Sequence, residues 1–180
     1  SILENTSLLK RITLDNGLTH SETLMPTISE ILEQTNLTLS DINLFVCDKG
    51  PGSFTGIRIG IATVMGFSDS LSIPCVGISS LEALCYNVDK EGFIASVIDC
   101  KNENVYFALY RHLNNDYIEI IAPNTNSIYN FLDILNSSSY SNSLITFVGD
   151  GAISYKEIIK EKIKDCNFVD EISKNSLNSF

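Results

Sequence analysis

Basic residues are scarce in this sequence. The 180 residues include 12 Lys and Arg against 22 Asp and Glu, which gives a formal net charge of -10. A protein that binds nucleic acid by itself needs a basic surface to contact the phosphates. The composition therefore argues against direct nucleic-acid binding and favours a basic partner.

The sequence also lacks the cysteine patterns of a disulfide framework or a zinc site. Its five cysteines are odd in number, scattered and without a CxxC pair. This pattern fits a reducing cytosol, so we expect a cytoplasmic protein. Because the cysteines follow apolar runs, we expect them to be small core residues. They are Cys47, Cys75, Cys85, Cys100 and Cys166.

Long apolar runs are absent too. The longest, Ile57–Phe67, is short, is broken by glycines and contains Arg58. No signal peptide is recognisable. We therefore expect no association with a membrane. The first residues, Ser1–Leu3, are typical of the interior of a strand, so we expect a further segment upstream of them.

No recognisable catalytic or metal-binding set is present. His20 and His112 lie far apart without an HxxxH or HExxH partner, and we interpret both as surface or capping residues. Asp48 and Asp99 each follow an apolar strand, but no second carboxylate is fixed nearby by spacing. Ser53 lacks the G-x-S-x-G pattern of a nucleophile elbow. We predict no catalytic residue and no metal site.

The most informative stretch begins at Lys49 and reads KGPGSFTGIRIGIATVMG. Its Gly-Pro-Gly opening predicts a tight turn, because glycine permits positive φ and proline fixes its own φ. Ser53 or Thr55 can then cap a helix that continues from Gly56. The apolar run Ile42–Cys47 ahead of the turn predicts a strand covered on both faces.

A glycine-rich loop between a strand and a helix can hold phosphate with its N–H groups. This loop lacks the lysine and the GKS or GKT ending of a P-loop, and it is not a GxGxxG motif. A second turn, Gly149-Asp150-Gly151, has a similar outline. We favour a structural turn at both places. The weak candidates for cofactor binding are Gly50, Gly52, Ser53, Gly149 and Gly151.

The helix after the turn has glycines in its interior, although each costs about 1 kcal/mol relative to alanine. Gly56 and Gly60 stand four residues apart on one face, with Val64 next, so this face is a shallow groove that a second backbone can approach. An earlier helix, opened by a capping box of Thr19 and Glu22, carries a broad apolar stripe. We therefore predict two contact helices.

The rest of the chain predicts a mixed α/β fold of two parts, divided near residue 90. We assign residues 1–90 to an N-terminal lobe and residues 91–180 to a C-terminal lobe. The further predicted elements are a hairpin within Ser1–Leu14, a strand at Pro74–Ile78, a meander of Phe93–Ile98, Val105–Tyr110 and Tyr117–Ala122, a helix at Ser127–Leu135, a strand at Leu144–Val148 and a helix at Ala152–Ile163.

These residues resemble a known family. GPGSFTGIRIGIATVMGF, followed by PCVGISS, is similar to the signature of the bacterial TsaB (YeaZ) family of tRNA threonylcarbamoyladenosine biosynthesis proteins. Supporting matches are Ile98-Asp99 ahead of Glu103, and Val148-Gly149 with Gly151. The resemblance covers most of Thr19–Gly151.

The resemblance implies an ASKHA fold, the actin and sugar-kinase architecture with two α/β lobes. It implies a non-catalytic scaffold without a competent nucleotide site, which pairs with the catalytic subunit TsaD or with itself through N-lobe helices. With TsaD and the ATPase TsaE, the family serves threonylcarbamoyl transfer to ANN-decoding tRNAs. ATP and tRNA are then contacts of the partner complex. The implied interface residues are Leu24, Ile28, Ile31, Gly56, Arg58, Gly60 and Val64.

The sequence also departs from the family pattern. The first family strand precedes Ser1, the usual C-terminal tail is not found, and Cys100-Lys101 stands where the family often has Ala-Arg. The alternative is an enzyme, either ATP-using and kinase-like or a glycoprotease-type peptidase. A peptidase needs a nucleophile with a base, or a metal with ligands. An ATPase needs acidic magnesium ligands, for which Asp48 and Asp99 are the candidates.

Overall fold

The computed structural model of the chain describes residues 1–14, 20–137, 140 and 142–169. They fall into two compact units, the first formed by Ser1–Ile78 and the second beginning at Ser79. The predicted lobe boundary near residue 90 lies after this division. Within the described ranges, no helix is both long and apolar enough to cross a membrane.

Among its described residues, the first unit holds two α-helices and two separate two-stranded sheets, one an antiparallel hairpin and one a parallel pair. The hairpin predicted at the start of the chain is confirmed, and Asn5 adopts a left-handed φ of 55° in its turn. The elements are β1 (Ile2–Glu4), β2 (Ser7–Lys10), α1 (His20–Thr35), β3 (Phe45–Asp48), α2 (Phe54–Leu71) and β4 (Cys75–Ile78).

The helix α1 ends where the sequence predicts. Asn36 takes a left-handed φ of 54°, and the N–H of Leu37 donates to the carbonyl of Leu32 at 3.0 Å. This arrangement satisfies carbonyls that the last helical turn leaves free. The predicted capping role of Thr19 lies outside the described residues.

The strand β3 is shorter and less covered than predicted. The expected start at Ile42 is wrong, because a capping box between Thr38 and Asp41 holds residues 39–41 in a 3-10 turn. Covering on both faces is also wrong among the described residues, since Val46 is 53% exposed and β4 is the one described strand beside β3. An apolar run in the sequence does not predict how many other elements will pack against the strand.

The helix α2 follows the turn as predicted. Ser53 is its N-cap, and the Ser53 hydroxyl accepts a hydrogen bond from the N–H of Gly56 at 3.4 Å. Phe67 packs the helix against β3, with its ring 5.7 Å from that of Phe45. Although the helix is rich in apolar residues, none of its side chains is buried. Much of its apolar surface is therefore open.

The second unit has one mixed sheet in the order β7-β6-β5-β8-β9 among its described residues. The first three strands in chain order pair antiparallel, which confirms the predicted meander, and the last two run parallel to β5. The elements are α3 (Ser80–Cys85), β5 (Gly92–Asp99), β6 (Asn104–Leu113), β7 (Asp116–Ser127), α4 (Ile128–Ser137), β8 (Ile145–Val148), α5 (Asp150–Ser154), α6 (Lys156–Lys162) and β9 (Cys166–Phe168).

Helices cover both faces of this sheet. On one face, Phe107 of β6 stacks on Phe131 of α4 with ring centroids 4.1 Å apart, and Ile159 of α6 joins the same cluster. On the other face lie Leu81 and Leu84 of α3. The packing of α3 on this sheet explains why the second unit begins at Ser79.

Burial is uneven between the two units. Ile31 is the one buried apolar side chain in the described part of the first unit, whereas the second unit has a two-sided core. Large contiguous apolar surfaces are uncommon on isolated proteins and mark contact regions. The first unit therefore has apolar surface available for a partner. Its exposed apolar residues include Leu3, Leu44, Val46, Phe54, Met65 and Val76.

Candidate functional site

The Gly-Pro-Gly turn is shaped by contacts within the chain. Gly50 has a φ of +90°, and a Cβ atom added there would lie 2.9 Å from Cδ1 of Ile57. The N–H of Gly50 donates to Oδ1 of Asp48 at 2.7 Å. This carboxylate occupies a donor that a phosphate would need, and its charge opposes a second anion. Gly52 has room for a Cβ atom, 3.6 Å from Ile57. The contacts favour a structural turn.

The second glycine turn lies directly on the backbone of β5. Gly149 has a φ of +110°, and a Cβ atom there would collide with the carbonyl oxygen of Val97. A Cβ atom on Gly151 would lie 3.0 Å from the backbone nitrogen of Asp99. Between the two glycines, Oδ1 of Asp150 accepts a 3.0 Å hydrogen bond from that same N–H. Close packing on β5 is a sufficient reason for both glycines.

The end of β5 carries a network centred on Asp99. Its Oδ1 accepts hydrogen bonds from the N–H of Lys101 at 2.8 Å and from the hydroxyl of Tyr155 at 3.0 Å. Its Oδ2 pairs with Nζ of Lys101 at 2.8 Å. Burial raises the pKa of Asp99, but these hydrogen bonds outweigh burial and hold the pKa below its ordinary value. The carboxylate is therefore ionised and already paired.

The contacts of Asp99 and Asp150 are structural, so their proximity does not require a catalytic role. Sequence spacing fixes no second carboxylate near Asp99, yet the parallel pairing of β5 and β8 brings Asp150 beside it. Tyr155 is absent from the sequence prediction, and no local signal connects it to Asp99. Among the described residues, no group of three or more His, Cys, Asp and Glu side chains is arranged to hold a metal ion.

The prediction of a surface or capping role is wrong for His112. This side chain is 6% exposed and stacks on Tyr117, with ring centroids 4.2 Å apart. The stacked ring of Tyr117 covers it, whereas Arg111, its neighbour on the same strand, is exposed. The side chain of His20 lies outside the described residues. The expectation of core cysteines holds for Cys85, which is buried, and is wrong for Cys75, which is exposed on β4.

The predicted contact residues of α1 differ in exposure. Leu24 and Ile28 are half-buried and reach the surface of the first unit. Ile31 is buried, so it holds α1 in its own unit. Of these three residues, Leu24 and Ile28 are therefore the two that a partner on this helix can contact.

The predicted contact residues of α2 lie on two sides of the helix. Gly56, Gly60 and Val64 are half-buried, whereas Arg58 is exposed. At about 100° per residue, Arg58 and Gly60 point about 160° apart around the axis. A Cβ atom added at Gly60 would meet no described atom within 4 Å. The groove at Gly60 is thus open, and Arg58 belongs to another face.

Sequence reasoning missed Phe54, the first residue of α2. Its side chain is 73% exposed, and the Arg58 guanidinium lies 5.0 Å from its ring centroid. Such cation–π pairs are favourable even at exposed sites. The available signal was the i, i+4 spacing of an aromatic residue and an arginine.

The described residues therefore define a mixed α/β protein whose candidate site is an open helical surface. A family model described as TsaD, tRNA N6-adenosine threonylcarbamoyltransferase, matches residues 16–175. The tRNA threonylcarbamoyladenosine biosynthesis protein TsaB of Bacillus subtilis is 30% identical over 83% of this chain and 65% of its own length. The TsaB of Buchnera aphidicola is 32% identical over 79% of this chain and 67% of its own length.

Solved structures agree on the fold. YeaZ from Pseudomonas aeruginosa superposes with a TM-score of 0.63 and 23% identity, over 77% of this chain and 63% of that one. The chain belongs to the TsaB (YeaZ) family. The matched part of the chain spans 65% of the length of the Bacillus subtilis TsaB. It spans 43% of the length of the TsaB of Escherichia coli, to which it is 33% identical.

Proposed function

We propose that the protein is a non-catalytic subunit in tRNA threonylcarbamoyladenosine biosynthesis and that it pairs with the catalytic subunit TsaD. The names of the curated relatives and the description of the family model support the pathway. The observation that carries the subunit role is the uncovered surface of the two helices of the first unit, where no side chain of α2 is buried and Leu24 and Ile28 of α1 are half-buried. A partner would cover this surface.

The polar networks support a role without chemistry of its own. Asp48 already accepts the N–H of Gly50, and Asp99 is paired with Lys101 and Tyr155. Neither carboxylate is free to hold magnesium beside a phosphate. The kinase-like alternative therefore has neither of its two candidate magnesium ligands available. In this proposal ATP is bound by the partner complex, and TsaE acts through that complex.

We assign the pairing face to one side of the two helices. Leu24 and Ile28 supply apolar contacts from α1, and Gly56 and Gly60 supply a groove on α2. Packed helices lie about 8–10 Å apart, and small residues permit the closer values. The open space over Gly60 suits a helix of TsaD.

The proposal gives the chain an indirect relation to tRNA. With a net charge of -10, the chain would repel the phosphates of a nucleic acid. A basic surface elsewhere in the complex would hold the tRNA. The acidic chain then acts by supporting TsaD.

A pair of leucine substitutions tests the pairing face. Gly60 and Gly66 both lie in α2, both have no described atom within 4 Å of an added Cβ, and they point about 120° apart. We expect Gly60→Leu to abolish a one-to-one complex with TsaD of the same species, and Gly66→Leu to preserve it. Light scattering after size exclusion measures the complex, and circular dichroism checks that both variants fold.

The outcomes separate two failures. If Gly60→Leu pairs with TsaD as well as the unsubstituted chain does, the assigned face is wrong. If the unsubstituted chain ignores TsaD, the subunit role itself is wrong. Both variants replace a helical glycine by a better helix former, so neither should weaken the helix.

A further inference from the structure

The strand β7 lies at one edge of the mixed sheet within the described residues. Its second half is closed to another strand, because Pro123 has no N–H and the N–H groups of Thr125 and Ser127 donate to the preceding side chains at 2.8 Å. In its first half, no described side chain accepts the N–H of Tyr117 or Glu119. An open strand edge is a template for pairing with another chain.

The hydrogen-bond ladder of the sheet fixes the direction of these backbone groups. The N–H of Cys100 donates to the carbonyl of Asn104 at 2.9 Å, which continues the ladder between β5 and β6. Bonded pairs recur at every second residue of an antiparallel ladder. The register between β5 and β6 is unbroken, so Tyr110 and His112 also direct their N–H and C=O groups to β5.

Tyr117 and Glu119 therefore direct their own N–H and C=O groups away from the sheet. They stand opposite His112 and Tyr110 of β6, and residues of β6 that bond to β5 leave their partners on β7 unbonded. Ile118, between them, faces β6 with its backbone groups. The open part of the edge thus offers two donors and two acceptors at the spacing that an added strand requires.

The surface beside this open segment is aromatic and acidic. The ring of Tyr86 is 49% exposed and packs on Tyr117 with ring centroids 4.4 Å apart. Burial raises the pKa of Tyr86, and the carboxylates of Glu82 and Asp116 raise it further, so both lie within electrostatic range of its hydroxyl. Glu119 shares the face of Tyr117, two residues along the strand. These three carboxylates are exposed and make no ion pair with a described residue.

We propose that residues 117–119 of β7 bind an extended basic segment of a partner protein, which adds antiparallel to the open edge. The two partner residues opposite Tyr117 and Glu119 exchange backbone hydrogen bonds with β7 and carry arginine or lysine on the acidic face. The residue between them places an apolar side chain beside Ile118, which is 48% exposed. The sequence that this surface recognises is therefore basic, apolar, basic. A cation over the ring of Tyr86 adds a cation–π contact.

The charge of the edge selects this occupant. A second copy of the chain would bring Asp116 and Glu119 of both copies to one edge, and like charges on neighbouring strands are destabilising. Nucleic acid is repelled by the same carboxylates. A basic segment gives each carboxylate the opposite charge that the described residues do not supply. The edge is thus open to one class of strand and closed to its own kind.

A pair of peptides tests the recognised sequence. Acetyl-Ser-Thr-Arg-Ile-Arg-Thr-Ser-amide has the expected alternation, and acetyl-Ser-Thr-Ile-Arg-Arg-Thr-Ser-amide has the same composition and charge. We expect the second peptide to bind at least about tenfold more weakly, because a change of order turns side chains to the wrong face of the strand. Fluorescence anisotropy of labelled peptides, titrated with the whole chain at low ionic strength, measures both dissociation constants.

Two charge reversals locate the binding surface. Glu119→Lys should weaken binding of the alternating peptide at least about tenfold, because it places like charges side by side. Glu161→Lys is the matched control, since it makes the same change of net charge at an exposed residue of α6. The helix α6 covers the other face of the sheet, so this variant should bind the peptide normally. Circular dichroism verifies that both variants fold.

Backbone methylation separates strand pairing from charge attraction. Methyl groups on the backbone nitrogens of both arginines remove the donors that bond to β7, and we expect them to abolish binding. A methyl group on the isoleucine nitrogen should be tolerated, because that N–H points away from β7 in an antiparallel pair. Neither change alters the charge of the peptide.

The outcomes are distinct from those for TsaD. Gly60→Leu changes the first unit and should leave peptide binding unaltered. The proposal is overturned if the alternating peptide does not bind, if both peptide orders bind alike, or if Glu119→Lys and Glu161→Lys have equal effects. Equal effects of the two methylation patterns would also overturn it, since binding would then not use the strand edge.

Discussion

The hydroxyl of Tyr155 donates a 3.0 Å hydrogen bond to the carboxylate of Asp99, which lies 56 residues earlier in the chain. Tyr155 stands at the junction of α5 and α6, and Asp99 is the last residue of β5. The bond therefore ties the helical layer to the end of a central strand. The other carboxylate oxygen of Asp99 pairs with Nζ of Lys101.

We predict that Tyr155→Phe lowers the free energy of unfolding by about 1–2 kcal/mol, because Asp99 loses one of the donors that stabilise its carboxylate. Urea unfolding measures the difference. Tyr129→Phe is the control, since its hydroxyl lies 3.5 Å from Glu103 at an exposed site and should change stability little. Equal losses of unfolding free energy in the two variants would show that the hydrogen bond to Asp99 stabilises the fold no more than an exposed one.

The same bond has a predicted pH dependence. Burial raises the pKa of Asp99, but the hydrogen bonds from Lys101 and Tyr155 bring it below the ordinary value. A group with a lowered pKa stabilises the fold above its unfolded-state pKa of about 3.9, and this stabilisation is lost as the pH falls through the folded-state value. The stability gap between the unsubstituted chain and Tyr155→Phe should be constant from neutral pH to about pH 5 and should shrink below about pH 4. A gap independent of pH would contradict this assignment.

Two glycines separate the effect of backbone angle from the effect of close packing. Gly149 and Gly92 both have positive φ, +110° and +135°, but an added Cβ collides with the carbonyl of Val97 at Gly149 and meets nothing within 4 Å at Gly92. We predict that Gly92→Ala costs about 1 kcal/mol from strain alone, and that Gly149→Ala costs at least about 3 kcal/mol. Thermal unfolding measures both. Similar losses would mean that the turn can move away from β5.

Local chemistry accounts for the parts of this fold that the sequence predicts. Ser53 caps α2 because its hydroxyl reaches the N–H of Gly56, three residues on, and Asn36 ends α1 because asparagine tolerates left-handed φ. The meander of β5, β6 and β7 follows from apolar runs separated by short polar turns. Each of these signals is contained within a few residues.

Other features depend on which elements become neighbours. His112 is buried because Tyr117 of the next strand stacks on it. Val46 is exposed because it lies on the face of β3 opposite to Phe45, which packs on Phe67 of α2. The contact of Tyr155 with Asp99 joins residues that no periodicity relates. The two faces of α2 could be read from helical spacing, but the exposure of Phe54 could not. The sequence therefore predicted the helix and the open face at Gly60, and not the exposed ring of Phe54.

The strand β7 forms an edge of the sheet within the described residues. Exposed edges present free N–H groups to other strands, and proteins block them. Here Pro123 has no N–H. The N–H of Thr125 donates to its neighbour Asn124 at 2.8 Å, and the N–H of Ser127 donates to Asn126 at 2.8 Å. Three alternate positions are thus closed to strand addition.

We predict that Asn124→Val promotes association of the chain through this edge, because the substitution frees the N–H of Thr125 and leaves a β-branched side chain beside it. The loss of one exposed hydrogen bond should lower the free energy of unfolding by about 0.5–1 kcal/mol.

Thr125→Val is the matched control, since it places the same side chain at the next position while Asn124 still accepts the N–H of residue 125. Light scattering and thioflavin fluorescence during gentle heating compare the two variants. If Asn124→Val and Thr125→Val aggregate alike, added apolar surface is the cause. If Asn124→Val alone aggregates, the hydrogen bond from the N–H of Thr125 to the side chain of Asn124 is what keeps β7 unpaired.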